Sequence, residues 1–371
     1  MSSLPIPTVQ TAALIENPGP NASVVVRDSV PVAKPGPNEI LVKLEYSGVC
    51  GSEIRALNGW GVYNPIVGHE GVGTVVQVGD DVGSSLLGQR VGVKWLYSAC
   101  GDAAGVSACS ACRRGFANNC SRQTNTGRHV PGTLQQYVLA DARFVTTNFP
   151  PTLPSEVVAP LLCAGLTMMG AVGKVDAHVT SLNESANEDV WVVVSGSGGG
   201  LGHIGVQLAS AAKAGRYKVI AIDHGEAKKQ LSLESGAHNF IDYTGGDDEV
   251  ERQVKALTGE GAHAVIVVSG AEAAFRTAPR LVRNMGVIVT VGLPAADFML
   301  PVSAALCSAR SLTVTGVAVG TEDQMTQLLA LAAEGKVTPK VEVRTLADVP
   351  GIIEGLRTDK VTGRIVVKIP E

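Results

Sequence analysis

From Trp191 onward the chain alternates compact apolar runs with helical patterns. VWVVVSG, YKVIAID, AVIVVSG and VIVTVG are compact, mostly apolar runs, as strands buried on both faces are. Between them lie HIGVQLASAAKAG, EAKKQLSLESGA and DEVERQVKALTG, which carry helical spacing. Strand and helix in strict alternation make βαβ units, and so a parallel sheet with helices on both faces. Residues 1 to about 160 have another rhythm. EILVKLEYSGV, GVGTVVQVG and QRVGVKW are short β-branched runs bounded by Gly, Pro and Asn, which suits a sandwich or barrel. The last fifty residues pair a helix, EDQMTQLLALAAEG, with a strand, GRIVVKI, and either extend the sheet or fold back onto the first half.

At 45% hydrophobic and 17% charged residues the composition is that of an ordinary globular chain. A net charge of -4 gives no electrostatic reason for nucleic acid or an anionic membrane as partner, and 4% aromatics leave little for base stacking. The first twenty residues lack a basic region followed by an apolar run, and no window is read as a membrane span of ~20 apolar residues. A cytoplasmic protein is expected, with its thiols reduced.

That compartment bears on Cys100, Cys109, Cys112 and Cys120, spaced C-x8-C-x2-C-x7-C. Such a cluster is either a disulfide knot or a set of thiolates around a metal. Two cysteines three apart aim both sulfurs at one point, and in a reducing compartment the metal reading is preferred. After the strand VWVVVSG, Gly200, Gly202 and Gly205 match G-x-G-x-x-G at the opening of a helix, with Leu201 inside the motif. The glycines permit a tight turn and close approach of a pyrophosphate to the helix N-terminus. Asp223 ends the next strand, where a carboxylate accepts hydrogen bonds from ribose hydroxyls and repels a 2′-phosphate, favouring NAD over NADP. Lys228 reaches the same ribose. Cys50 in GVCGSE, His69 in GHEG and Cys163 in PLLCAGLT stand apart as further candidate ligands; each alone reads as core or as a satisfied polar group. Cys307, in AALCSAR, is left to the core.

Through GVCGSE, GHEGVGTVVQVG, VKWLYSAC, GTLQQYVLADA, PLLCAGLT, VVSGSGGGLG, AIDHGEAKK and TGRIVVK, in order, the chain resembles the zinc-dependent alcohol dehydrogenases of the medium-chain dehydrogenase/reductase superfamily, most closely their yeast and fungal branch. The resemblance implies an α/β fold: a β-rich GroES-like catalytic domain from residues 1–162 and 320–371, and a Rossmann parallel sheet domain at 163–319. It implies hydride transfer between an alcohol and NAD, giving an aldehyde or ketone, in a homo-oligomer, dimer or tetramer. Two zinc ions per chain follow from it. Cys50, His69 and Cys163 are assigned the catalytic zinc, with Glu70 beside them and able to approach it. Cys100, Cys109, Cys112 and Cys120 are assigned the structural zinc. Ser52 is the hydroxyl next to the bound alcohol, and Glu53 stands where relatives carry an Asp that holds the ligand histidine. Trp95 is a substrate-pocket wall. Thr167, Val268 and Val291 line the cofactor, and Arg364 meets the pyrophosphate.

The chain departs from the family pattern in places. Residues 101–108 separate the first two lobe cysteines, where relatives have two residues, so Cys100 is the least secure ligand. Gly51 replaces a His or Arg that touches pyrophosphate, and Arg55 replaces a proton-relay His. Residues 58–67 look shorter than in yeast relatives. A polyol or specialised-metabolite dehydrogenase with a reshaped pocket is the alternative enzyme. A zinc-free reductase or a non-catalytic protein on this fold is disfavoured, because no ligand or glycine is missing.

Overall fold

The computed structural model describes residues 6–101, 108–182, 188–295, 297–358 and 361–371. They form two compact units: Met1–Leu166 with Thr321–Ala333 and Pro339–Glu371, and Thr167–Gly320 with Glu334–Thr338. The tail therefore belongs to the first unit. The division after Leu166 puts Cys163 in the first unit, whereas the sequence boundary set it in the second. The cause is a helix that runs unbroken through the boundary, Ser155–Ser181, and offers no turn signal there. This 27-residue helix is also long and apolar enough to cross a membrane, which corrects the expectation that no segment is; 78% of its most apolar stretch is buried within the protein.

The first unit opens with an antiparallel pair, β1 (Val9–Glu16) and β2 (Ser23–Pro31). Its main sheet uses β3 (Glu39–Gly48), β4 (Gly71–Val78) and β5 (Arg90–Val93). A small ribbon, β6 (Leu96–Ser98) with β7 (Thr124–Asn125), precedes β8 (Tyr137–Asp141), which pairs with β3. Gly73 lets β3 and β4 close up, since a Cβ there would lie 2.2 Å from the Lys43 carbonyl oxygen. Alternate residues of these strands, Ile40, Val42, Leu44, Val75 and Val91, fill a common core.

The second unit is a parallel sheet of β9 (Val190–Ser195), β10 (Tyr217–Asp223), β11 (Asn239–Asp242), β12 (Ala262–Val267), β13 (Val282–Thr290) and β14 (Thr313–Gly316). Their order is β11-β10-β9-β12-β13-β14. The order reverses between β9 and β12, the switch point at whose C-terminal strand ends such sheets bind ligands. Near-continuous burial of β9, β10 and β12 explains why they lack alternation.

Finally β15 (Val341–Thr345) and β16 (Arg364–Lys368) join the first sheet in the order β15-β16-β3-β4-β5. The last strand thus runs antiparallel to the strand that ends just before Cys50.

Ile40 is 0% exposed in the first core and Val343 is 46% exposed on β15. Ile40→Ala should cost about 2–5 kcal/mol, from lost burial and the cavity left behind. Val343→Ala should stay within about 0.5 kcal/mol of the parent. Thermal melts of the two variants compare them; similar melting temperatures would contradict this core.

Candidate active site

Each candidate ligand is held by a different local device. Cys50 follows β3 in a turn leading into the helix Ser52–Leu57. His69 stands just before β4. Cys163 lies in a π-helical turn, Leu161–Gly165, after Pro160. Proline has no N–H for the helical ladder, and single π-turns recur at functional sites because they re-aim one side chain. One donor atom from each of Cys50, His69, Glu70 and Cys163 lies within 4.8 Å of the others, and all four residues are buried. His69 Nε2 is 3.2 Å from Cys163 Sγ.

Glu53 orients this group. Though it could pass for a surface carboxylate in the sequence, it is 2% exposed. Its Oε2 accepts the Cys50 N–H at 2.7 Å, and its Oε1 lies 3.4 Å from His69 Nδ1. Engaging Nδ1 leaves Nε2 to face the thiols, as the outer partner of a ligating histidine does. Trp95 packs edge-on against the same imidazole, ring centroids 5.1 Å apart. The Ser52 hydroxyl oxygen is buried and has no hydrogen-bond partner among the described residues.

Glu70 fits only because Gly48 lacks a side chain: a Cβ at Gly48 would lie 1.9 Å from Glu70 Oε2. Arg364, which the resemblance sets against the pyrophosphate, is paired with Glu70. It is 3% exposed, and its Nη2 bonds both Glu70 oxygens, with 2.5 Å to Oε1. Its Nε is buried without a hydrogen-bond partner among the described residues. A strand charge next to TG reads as solvated in sequence, and nothing local announces a partner 294 residues away.

Protons in the cluster are unevenly held. The hydrogen bond from Cys163 holds the Cys50 thiol well below its usual range, with His69 and Arg364 helping against burial. Donating that bond, and burial, push Cys163 well up. Burial pushes His69 down, but its bonds to Cys50 and Glu53 outweigh it and the imidazole is raised. Burial pushes the Glu70 carboxyl up, against the pull of Arg364. Two thiols, an imidazole nitrogen and a carboxylate meeting in a dry place form the N/S/O donor set that suits zinc, with three ligands beside the ion-paired Glu70.

The cysteine lobe is brought together as well. Cys100, Cys109, Cys112 and Cys120 offer four sulfurs within 4.8 Å, and all are free thiols. Cys100 Sγ is 3.6 Å from Cys112 Sγ, and Cys109 Sγ is 3.8 Å from Cys120 Sγ. A tetrahedron of sulfurs about 2.3 Å from a zinc ion has edges of about 3.8 Å. Cys100 joins the group, and the Cys109 N–H donates to it at 3.1 Å. Of the residues 101–108 that separate the first two lobe cysteines, 102–107 lie outside the described residues.

At the cofactor turn the glycine register starts earlier than G-x-G-x-x-G at Gly200 suggests. Gly196 has φ +89° and makes the turn after β9, and its N–H donates to the Ile222 carbonyl at 2.8 Å. A Cβ at Gly198 would come 2.4 Å from Lys228 Cβ, and one at Gly202 would come 1.9 Å from the Gly196 oxygen. Gly200 and Leu201 finish the turn before the helix Gly202–Ala211, and Gly205 packs where a Cβ would meet Met168 at 2.4 Å. Asp223 ends β10 and accepts the Gly198 N–H at 2.8 Å, with Lys228 Nζ 3.6 Å away. Val268 and Val291 follow β12 and β13 at the switch-point edge; their N–H groups bond Ser195 and Val267. Thr167 is buried. Cys307 packs against the second core.

Residues 36–151 match the alcohol dehydrogenase GroES-like domain and residues 200–334 the zinc-binding dehydrogenase family. The sequence is similar to alcohol dehydrogenase 2 of Emericella nidulans, 37% identical over 387 residues and 100% of each chain. The structure is similar to the alcohol dehydrogenase of the archaeon Aeropyrum pernix, with TM-score 0.82 and 26% identity over 97% of this chain and 99% of that one. It is also similar to acetophenone reductase from Geotrichum candidum in complex with NAD, with TM-score 0.79 and 25% identity over 98% of each chain.

Arg364→Met leaves the Glu70 carboxyl buried without its counter-charge, which typically costs about 3–5 kcal/mol. Arg364→Met with Glu70→Gln should recover most of that loss. Chemical denaturation of the two proteins tests this, and equal stability of single and double variants would refute the pairing.

Proposed function

The chain belongs to the zinc-dependent alcohol dehydrogenases of the medium-chain dehydrogenase/reductase superfamily, and from that premise we propose that NAD is its cofactor and that each chain takes two zinc ions. Cys50, His69 and Cys163 hold the catalytic ion, and Cys100, Cys109, Cys112 and Cys120 the structural one. The observation that carries the reading is the convergence of buried thiols and an imidazole oriented by Glu53, beside a buried Ser52 hydroxyl oxygen without a partner.

Zinc bound by those residues supplies Lewis acidity that makes an alcohol proton easier to release, and the bound nicotinamide is the hydride acceptor. The protein does the rest. Glu53 fixes the histidine ring, so the donor set needs no rearrangement. Arg364 keeps Glu70 neutralised, so the carboxylate adds no unbalanced charge. Ser52 Oγ accepts the alcohol proton and passes its own outward. Trp95, edge-on to His69, walls the side from which an alcohol approaches. Asp223 and Lys228 receive the ribose hydroxyls, and the N–H groups at the end of the turn, Gly200 to Gly202 at the helix N-terminus, receive the pyrophosphate.

Elemental analysis should find two zinc ions per chain. Cys163→Ala should lose one of them together with alcohol-dependent NAD reduction. Cys109→Ser should lose the other and lower the melting temperature, because a structural zinc contributes folding energy directly. One zinc or fewer in the parent would remove the structural assignment, and full metal in Cys163→Ala would remove the catalytic one.

Proton release has a distinctive feature in this chain. Arg55 lies in the helix that Ser52 opens, with its guanidinium carbon 5.7 Å from the Trp60 ring centroid. Arginine carries no acceptor, so it cannot take a proton handed outward by Ser52. A histidine there would act as general base, an effect of at most ~10²–10⁴-fold when proton transfer limits the rate. Arg55→His should raise kcat for alcohol oxidation at pH 6 to 8 and add a titration near ~6.5. Superimposable kcat–pH profiles at saturating alcohol would mean that the proton leaves by another route.

A further inference from the structure

The ribbon of β6 and β7 brings one more hydroxyl to the neighbourhood of His69. The two strands pair antiparallel with Leu96 opposite Asn125, so one step outward Trp95 stands opposite Thr126. The Thr126 N–H donates to the Trp95 carbonyl at 3.0 Å and holds the two residues together. Residues opposite each other on antiparallel strands share a face. Trp95 turns that face to His69, with ring centroids 5.1 Å apart. The chain beyond Thr126 is pressed against the backbone that leads into the same histidine. A Cβ at Gly127 would come 2.7 Å from the Gly68 oxygen, and the Thr133 N–H donates to that oxygen at 3.0 Å.

Thr126 is 0% exposed, and its Oγ1 is buried without a hydrogen-bond partner among the described residues. A nearby hydroxyl is not left so: Thr133 Oγ1 lies 2.7 Å from Ser47 Oγ and accepts the Glu70 N–H at 3.3 Å. Buried hydroxyls are nearly always bonded, and an exception asks for a partner from outside the chain. Ser52 Oγ is in the same condition, and the reacting alcohol is its partner. We propose that Thr126 is a second substrate anchor, and that the substrate is an alcohol carrying a further oxygen, hydroxyl or carbonyl, near its carbinol carbon. This deepens the alcohol dehydrogenase reading and rests on its catalytic site. A threonine hydroxyl both donates and accepts, so it pairs with either kind of oxygen. A simple alkanol leaves it unpaired, and a site built to bond a hydroxyl discriminates against the analogue that lacks one.

The test uses the zinc-loaded, full-length protein with NAD and two pairs of alcohols in which a hydroxyl replaces a methyl group. One pair is propane-1,3-diol with butan-1-ol, the other butane-2,3-diol with 3-methylbutan-2-ol. Thr126→Val keeps the shape and removes the hydroxyl. It should lower the diol-to-alkanol ratio of kcat/KM about 10-fold in at least one pair, the order that a hydrogen bond is worth. Thr126→Ser should keep the parent's ratio. A ratio unchanged by Thr126→Val in both pairs overturns the anchor. Thermal melts give a second readout that needs no turnover: Thr126→Val should melt no lower than the parent, because no bond within the protein is lost. A fall of about 2–4 °C, the shift of a lost hydrogen bond in a domain of this size, means that the chain itself bonds the hydroxyl and also overturns the anchor. If Thr126→Val does not fold, Thr126→Ala carries the ratio comparison. A parent that reduces NAD with none of the four alcohols overturns the catalytic site itself instead, so the two failures are distinguishable.

Discussion

The ion pair between Glu70 and Arg364 is where the chain is closed on itself. Glu70 sits one residue past a candidate zinc ligand, and Arg364 opens the final strand, 294 residues later. Neither charge is tolerable alone at that depth, because burial of an unpaired ion costs several kcal/mol. The pair therefore requires the tail to lie on β3, and β16 does lie there, with the Val49 N–H bonded to the Ile365 carbonyl at 3.1 Å. Gly48 then follows as a requirement, since any side chain would displace the Glu70 carboxylate. Cys50, two residues further on, inherits a fixed position.

What was legible from local signals is the parallel sheet: β9 to β13 announce themselves by apolar runs and the glycines between β9 and its helix. Cys50, His69 and Cys163 each read alone as core or a satisfied polar group, and only the resemblance over the whole chain joined them. What escaped is what depends on partners far away or on a choice between equivalent readings. Arg364 was given a pyrophosphate contact by the resemblance, and no neighbour in sequence hints at Glu70 as its partner. The stretch SGSGGGLGHIG holds several overlapping glycine registers, and only the positive φ at Gly196 and the close approach of Gly198 to Lys228 select the one the backbone uses. The helix Ser155–Ser181 went unnoticed as an apolar span, because Gly, Thr, Lys and His break up its run while the protein still buries it. Glu53 was recognised only through resemblance, since a carboxylate in a helix is usually solvated.

The two cysteine-bearing clusters solve different electrostatic problems. With zinc at Cys50, His69 and Cys163, two thiolates would balance the dication and Arg364 balances Glu70, which leaves the Glu53 carboxylate against the His69 ring as the remaining buried charge. Four thiolates around a dication instead leave two negative charges, which need outside support. The lobe supplies part of it in its sequence: Arg113, Arg114, Arg122 and Arg128 lie in or near it, against one acid, Asp102, between Cys100 and Cys120. Backbone donors add to this, with the Cys109 N–H on Cys100 and the Arg122 N–H on Cys120 at 3.3 Å. The thiol of Cys100 in turn raises the Arg122 guanidinium, so cation and thiol stabilise each other. This excess of arginines over acids is the charge pattern that a tetrathiolate site would ask of its surroundings.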